Sequence, residues 1–409
     1  MRTSGSLLCF TSIAALLLTG PMNAAARADS ADKKYTFDIY GFAQADFIYD
    51  GDRVDPAWED TLRPSKIPTS NHRGIFGSNG QTLASVKQSR FGVSGNLPTN
   101  TDMGDVKFKF EFDLFGVGVD AGQTTFRLRH AYGEWGPLLA GQTNSLFMDG
   151  DVFPNTIDYW GPAGMVFLRN PQLRWTPYRT ANSHFAIALE RPSNDIDVGT
   201  LRELDPELGA NIQNDEKYPD FTAHYYISDA WGHFQLAGIV RDVGFDSKGT
   251  PDNRPKGDRL GWGVNASGHI AVLDKDKIIA QVVYGHGIAS YMNDGGVDMA
   301  PQGTFPDHVE PKAVPLLGIV AYFDHYWNDE FSTSLGYSST QVDNTDLQDP
   351  DAFEKGQYAS INLIYTPSDK ILVGGELLWG KRTDNNGASG DDTRFQLSVK
   401  YSFGTSIAI

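Results

Sequence analysis

The sequence predicts an all-β fold, a closed antiparallel transmembrane β-barrel that crosses a membrane on strands. Three observations predict it: an export signal at the start, no later segment apolar enough for a membrane helix, and apolar residues recurring with a period of two along one segment after another.

The export signal is read from Arg2, the apolar run from Leu7 to Leu18 and the small residues Ala24, Ala25, Ala26 and Ala28, the charged, apolar and small-residue order of a secretory signal peptide. The organisation that follows is a signal over residues 1–28 and one barrel domain over 29–409. Losing Arg2 and Arg27 and no acid takes the formal net charge from -17 to -19. So acidic a chain is not expected to bind nucleic acid. Cys9 is the only cysteine and lies in the signal, so the exported chain has neither a disulfide nor a thiolate metal site.

Beyond residue 28 no run approaches the roughly 18 apolar residues of a membrane helix. A barrel strand needs only about 9 to 11 residues, half of them facing water. The aromatic content of 12% and the 43 glycines suit pleated strands joined by turns.

The first strand spans 35–50, with Phe37, Ile39, Ala43, Ala45, Phe47 and Tyr49 against Thr36, Asp38, Gln44, Asp46 and Asp50. The third, 106–114, sets Val106, Phe108, Phe110, Phe112 and Leu114 against Lys107, Lys109, Glu111 and Asp113. The same alternation predicts strands near 83–97, 124–136, 137–143, 171–179, 183–191, 219–228, 231–242, 258–270, 277–287, 314–326, 330–342, 357–366, 371–382 and 393–403. That makes sixteen; fourteen or eighteen stay open, because a closed barrel of this kind has an even number. Tight links such as Gly136-Pro137 and Asn328-Asp329 alternate with long polar segments at 51–82, 192–218, 243–257, 288–313, 343–356 and 383–392. The acidic groups in these loops, Glu203, Asp205 and Glu207 or Asp384 to Asp392, suit calcium or a solvated surface, the second being the simpler reading.

Parity assigns the lumen. Arg90 opposes Phe91, Val93 and Leu97; Arg127 and Arg129 oppose Phe126, Leu128 and Tyr132; Arg174 lies between Leu173 and Trp175. Lys107 and Lys109 share the polar face of the third strand, and Arg241 and Arg259 fall on polar sides further on. Residues 144–169 are too apolar and aromatic for a loop left in water, so they are expected to fold into the lumen as a constriction, with Asp149, Asp151 and Asp158 opposite the arginines. Such a field favours anions, here small carboxylated solutes. The alternative is that the arginines pair with Glu111 and Asp113 and only stiffen the wall. No His-Glu-x-x-His, Gly-x-x-x-x-Gly-Lys-Ser/Thr or Gly-x-Ser-x-Gly motif occurs, and the nine histidines show no metal-ligand spacing. Neither catalysis nor a cofactor is expected.

The last strand, Arg394 to Phe403, carries an aromatic or aliphatic residue at every second position and looks like the terminal signal read by barrel-assembly machinery. Gly404 to Ile409 follow it and make that signal internal. Together with Tyr40-Gly41-Phe42, Gln88-Ser89-Arg90-Phe91-Gly92, Arg129-His130-Ala131-Tyr132-Gly133 and Gly141-Gln142-Thr143, the chain resembles the DcaP-like trimeric porins over its mature length. The resemblance implies a sixteen-stranded homotrimeric channel in the outer membrane of a Gram-negative bacterium, set in lipid and lipopolysaccharide and passing small anionic solutes such as dicarboxylates. It also implies Arg90, Arg127 and Arg129 as pore wall and 144–169 as the constriction. Family members can carry a helical coiled coil before the barrel; few residues separate the signal from Tyr35 here, so a trimer would be held by barrel walls. The rival readings are a carbohydrate-selective porin, a barrel protease or lipase, and a soluble β-sandwich.

Overall fold

The computed structural model describes residues 34–77 and 79–409; the signal over 1–28, with Cys9, lies outside the described residues. Sixteen strands form the wall: β1 (Thr36–Asp50), β2 (Gln81–Ser85 and Arg90–Leu97), β3 (Val106–Phe115), β4 (Thr124–Trp135), β5 (Leu138–Asn144), β6 (Arg169–Arg179), β7 (Ser183–Glu190), β8 (Asp220–Asp229), β9 (Gly232–Ser247), β10 (Gly257–Val272), β11 (Asp276–His286), β12 (Pro315–Tyr326), β13 (Phe331–Val342), β14 (Phe353–Ser368), β15 (Ile371–Asp384) and β16 (Ser389–Ala408). Each pairs antiparallel with the next, and β16 returns to β1 in unbroken register from Thr36↔Ala408 to Asp50↔Arg394. Closure leaves no edge with unpaired backbone, the condition for a sheet in lipid. Gly404 to Ala408 thus continue the closing strand instead of trailing from it.

The wall follows the predicted parity. Phe110, Leu236, Val264, Val282, Leu363 and Leu377 are exposed on its outer face, between aromatic rows that include Trp135, Trp231, Trp327 and Tyr401 near the short-turn end and Tyr49, Phe126, Phe221 and Trp262 near the other. Val282 stands halfway along β11. Val282→Arg is expected to cost about 2–4 kcal/mol of unfolding free energy for the barrel folded in lipid, measured by urea titration; a solvated outer face would show no loss.

Two irregularities redirect the pattern. In β4 the ladder slips so that Glu111 faces His130 while Phe112 faces Leu128. This bulge puts Arg129 and His130 both into the lumen and reverses the parity beyond, so Tyr132, expected outside, lies across from Lys109 on the inner face. In β2, residues 86–89 leave the ladder, Lys87 and Gln88 turn inward, and the Ser89 hydroxyl accepts from the Gln44 amide at 3.0 Å.

The loops differ from expectation in two ways. Segment 383–392 is mostly ladder, since only residues 385–388 separate β15 from β16, and 243–257 is ladder at its ends, since β9 runs to Ser247 and β10 starts at Gly257. Counted along the chain at the long-loop end, the first loop is 51–80, the third 145–168, the fourth 191–219 and the sixth 287–314; the first and sixth are not simply polar, for Val54, Leu62 and Ile67, and Ile288, Tyr291 and Met292, are buried against the third loop and the wall. Asp205 caps the helix Pro206–Asn211 through the Leu208 amide, and Asp384 takes Arg382 and Thr69, so these acids are spent on local structure. Among the described residues no helix is long and apolar enough to cross a membrane.

Candidate functional site

β5 stops after seven residues, so the third loop leaves the wall inside the barrel, at Asn144, and rejoins it at Arg169. Its apolar side chains decide where it goes. Phe147, Met148 and Val166 pack on Ala237, Ile239, Val283 and Leu316, and Val152, Ala163 and Met165 on Ile279, Val320, Tyr322 and Tyr358. Burying such a side chain stabilises by roughly 1.5–3 kcal/mol, so the loop is held to the β9–β14 side. The loop backbone lies tight against the wall at Gly164, where a Cβ would meet the carbonyl oxygens of Ser339 and Ile319, the latter at 2.5 Å. Gly164→Ala is expected to lift the loop, costing about 1–3 kcal/mol and raising open-channel current noise in bilayer recordings.

The opposite arc, from β16 through β1 to β6, carries the cations. Arg127 holds Asp113 through Nε at 3.1 Å and Nη2 at 2.7 Å. Arg129 spans Glu111 at 2.7 Å and Asp113 at 2.8 Å. Arg90 stands 3.7 Å and Lys109 3.3 Å from the same Glu111. Arg90 and Lys400 sit 5.2 and 5.3 Å from the centre of the Phe42 ring, and Arg169 lies over Phe167 at 4.5 Å. The Nε atoms of Arg90 and Arg169 meet no hydrogen-bonding partner. Six cations (Arg90, Lys109, Arg127, Arg129, Arg169, Lys400) therefore share this stretch of wall with two carboxylates, a formal excess of four positive charges. Further along β1, Asp46 is enclosed by Gln44, Gln88, Gln396 and Ser398.

Arg174 lies apart from this group, bonded to Gln172 Oε1 at 3.0 Å and the Asn144 carbonyl at 2.7 Å, and Lys107 is exposed near the short-turn end, across from Asn96 and Glu134. The three loop acids take other partners. Asp149 binds His233 and Ser267, Asp151 accepts from Tyr226, and Asp158 accepts from Thr61, Tyr358 and the amides of Leu62 and Gly161. Complete burial pushes the Asp158 carboxyl above its ordinary pKa despite these donors and the field of Arg394. Among the described residues none of the three is within ion-pair distance of Arg90, Arg127, Arg129 or Arg174. The loop meets the arginines through Tyr159 instead: its hydroxyl accepts from Arg129 at 3.0 Å, and its ring stacks on Phe115 at 4.2 Å.

Two cations were missed in the sequence. Lys400 was legible, since it shares the parity of Gln396 and Ser398. Arg169 was not, because it has the outward parity of β6 and turns in only where the wall opens into the loop. Arg90, Arg129, Arg169, Lys400 and the loop segment Phe153–Trp160 line a cavity of about 430 Å³ inside the barrel.

A closed sixteen-stranded barrel with an apolar outer face, an inward loop and a charged wet lumen is a porin of the Gram-negative outer membrane. A family model described as DcaP outer membrane protein matches residues 22–403, and the chain belongs to that family. It is similar to the outer membrane channel DcaP of Acinetobacter baumannii, at 26% identity over 90% of this chain and 97% of that one, with a TM-score of 0.73. An anion-selective porin from Comamonas acidovorans (10% identity, 90% and 100% covered, TM-score 0.55) and OprB of Pseudomonas putida (11%, 91% and 95%, 0.51) share the fold. No curated protein matches.

Proposed function

We propose that this porin passes small anions, dicarboxylates among them, by passive diffusion past the arginine-bearing arc. The observation that carries this is the excess of cations over carboxylates on the wall beside the constriction, where Arg90, Arg129, Arg169 and Lys400 line the cavity. A solute carboxylate crossing there exchanges water for guanidinium donors whose fork fits it in a bidentate manner. Asp149, Asp151 and Asp158 take hydrogen bonds from other groups, so none of them neutralises the arc through an ion pair.

The surroundings belong to the same proposal: insertion by barrel-assembly machinery through the β16 signal, a lipid and lipopolysaccharide boundary, and a homotrimer joined through outer walls. The test is reversal potential under a salt gradient in planar bilayers, with liposome swelling in succinate against neutral sugars of equal size. Anion preference and faster succinate entry support the reading; equal or faster sugar entry replaces it with a carbohydrate porin.

A further inference from the structure

Four of the nine histidines stand on adjacent strands at lumen positions: His184 on β7, His224 on β8, His233 on β9 and His269 on β10. Their separations in sequence hide this, since successive members are 40, 9 and 36 positions apart, and only the strand register aligns them. With Tyr226 the rings form a continuous row. His184 is 5.0 Å from both His224 and Tyr226, Tyr226 is 5.2 Å from His233, and His233 is 4.5 Å from His269. The turn Gly150–Val152 of the third loop lays Asp149 and Asp151 against this row. Asp149 Oδ2 lies 2.8 Å from His233 Nε2 and 2.7 Å from Ser267 Oγ, and Asp151 Oδ2 accepts from Tyr226 at 2.9 Å. One oxygen of each aspartate and one nitrogen of His233 fall within 4.8 Å of one another. At the other end of the row, neither ring nitrogen of the buried His224 meets a hydrogen-bonding partner.

We propose that Asp149, Asp151 and His233 bind a divalent transition-metal ion of the zinc class, and that this ion fastens the third loop to the barrel wall. The donor set selects the class. One imidazole and two carboxylates suit zinc, nickel or copper, whereas calcium asks for six or more oxygens. Three protein ligands leave a fourth position open to water or to a solute carboxylate from the lumen.

The outer contacts are those a metal-bound histidine uses. With Nε2 on the ion, His233 Nδ1–H points at His269 Nδ1, 2.6 Å away, and Ser267 steadies Asp149. Ligand atoms each about 2.0–2.2 Å from zinc at a tetrahedral angle sit roughly 3.3–3.6 Å apart, so the Asp149–His233 contact needs to open by about half an ångström, a side-chain adjustment. Two ligands come from the loop and one from β9, so the bound ion crosslinks the constriction to the wall.

The experiment uses the whole folded protein without a histidine tag, stripped with chelator and titrated with Co²⁺ and then Zn²⁺. Expected are one ion per barrel, a visible Co²⁺ spectrum of nitrogen and oxygen ligation, displacement by Zn²⁺ and none by millimolar Ca²⁺. His233→Ala is expected to abolish binding, and His269→Ala, which removes only the outer partner, to weaken it by roughly 10–100-fold. Absence of saturable binding overturns the proposal, as does unchanged binding in a His233→Ala protein that keeps the heat-modifiable gel mobility of a closed barrel. Should that variant fail to fold, Asp151→Asn decides on an exposed carboxylate: weakened binding supports the site, unchanged binding overturns it.

Discussion

Replacing Arg90, Arg129 and Arg169 together by Gln is expected to abolish the anion preference in bilayers. A unit charge about 6 Å from a permeating carboxylate contributes roughly 0.7 kcal/mol even with the dielectric of bulk water. Three such charges amount to about 2 kcal/mol, or some 30-fold in the permeability of the anion, with an opposite change for a cation. The loss of Arg129 adds to this, because Glu111 gives up its 2.7 Å partner and Asp113 one of its two arginines, and both then attract cations. Reversal potential at several salt concentrations is the measurement, the shift being larger at low salt, where screening is weaker. Arg202→Gln serves as control: that guanidinium is exposed on the fourth loop and holds Asp197 and Asp349, so its loss leaves selectivity unchanged. Anion preference that persists in the triple variant would refute the assignment of selectivity to this arc.

Strand number, inner and outer faces and the inward third loop were all legible because one physical contrast writes them: wherever a strand has lipid on one side and water on the other, apolar residues recur at every second position. Where that contrast ends, so does the signal. Near the loop end β10, β15 and β16 carry mostly glycine and polar residues, which is why 383–392 and the ends of 243–257 read as loops although they pair as ladder. The reversal at Arg129 and His130 is a one-residue bulge without a glycine or proline to announce it. The loop acids were harder still. That Asp149 goes to His233 and Ser267, and Asp158 to Tyr358, depends on partners 84 to 200 residues away, and the apolar side chains around them chose the wall. Of the two readings of the arginines, the brace is seen at Arg127 and Arg129, which hold Asp113 and Glu111, while selection of anions stands as the proposal that the bilayer measurements test.

Arg241→Leu is expected to be the most damaging single substitution in the wall, lowering the unfolding free energy in urea by about 3–5 kcal/mol. The side chain is fully buried and satisfies groups from three parts of the chain. Its Nε lies 3.3 Å from Asp220 on β8; Nη1 reaches Gly287 O, Ser290 Oγ and Asp298 Oδ1 of the sixth loop at 3.1, 2.8 and 3.2 Å; Nη2 reaches Ser193 O and Asn194 Oδ1 of the fourth loop at 2.5 and 2.9 Å. Leucine fills much of the volume and leaves two buried carboxylates without a cation, which is the expensive part. Adding Asp220→Asn and Asp298→Asn removes those charges and is expected to recover most of the loss, showing that the cost lies in unpaired charge and not in packing. Arg241→Lys should fall between, because an ammonium matches one carboxylate as a point charge and lacks the planar fork that spans both loops. Since the same guanidinium ties the fourth and sixth loops to the rim, Arg241→Leu should also make them cleavable by added protease in intact cells, whereas the wild-type loops resist; equal resistance would mean that other contacts hold the loops down.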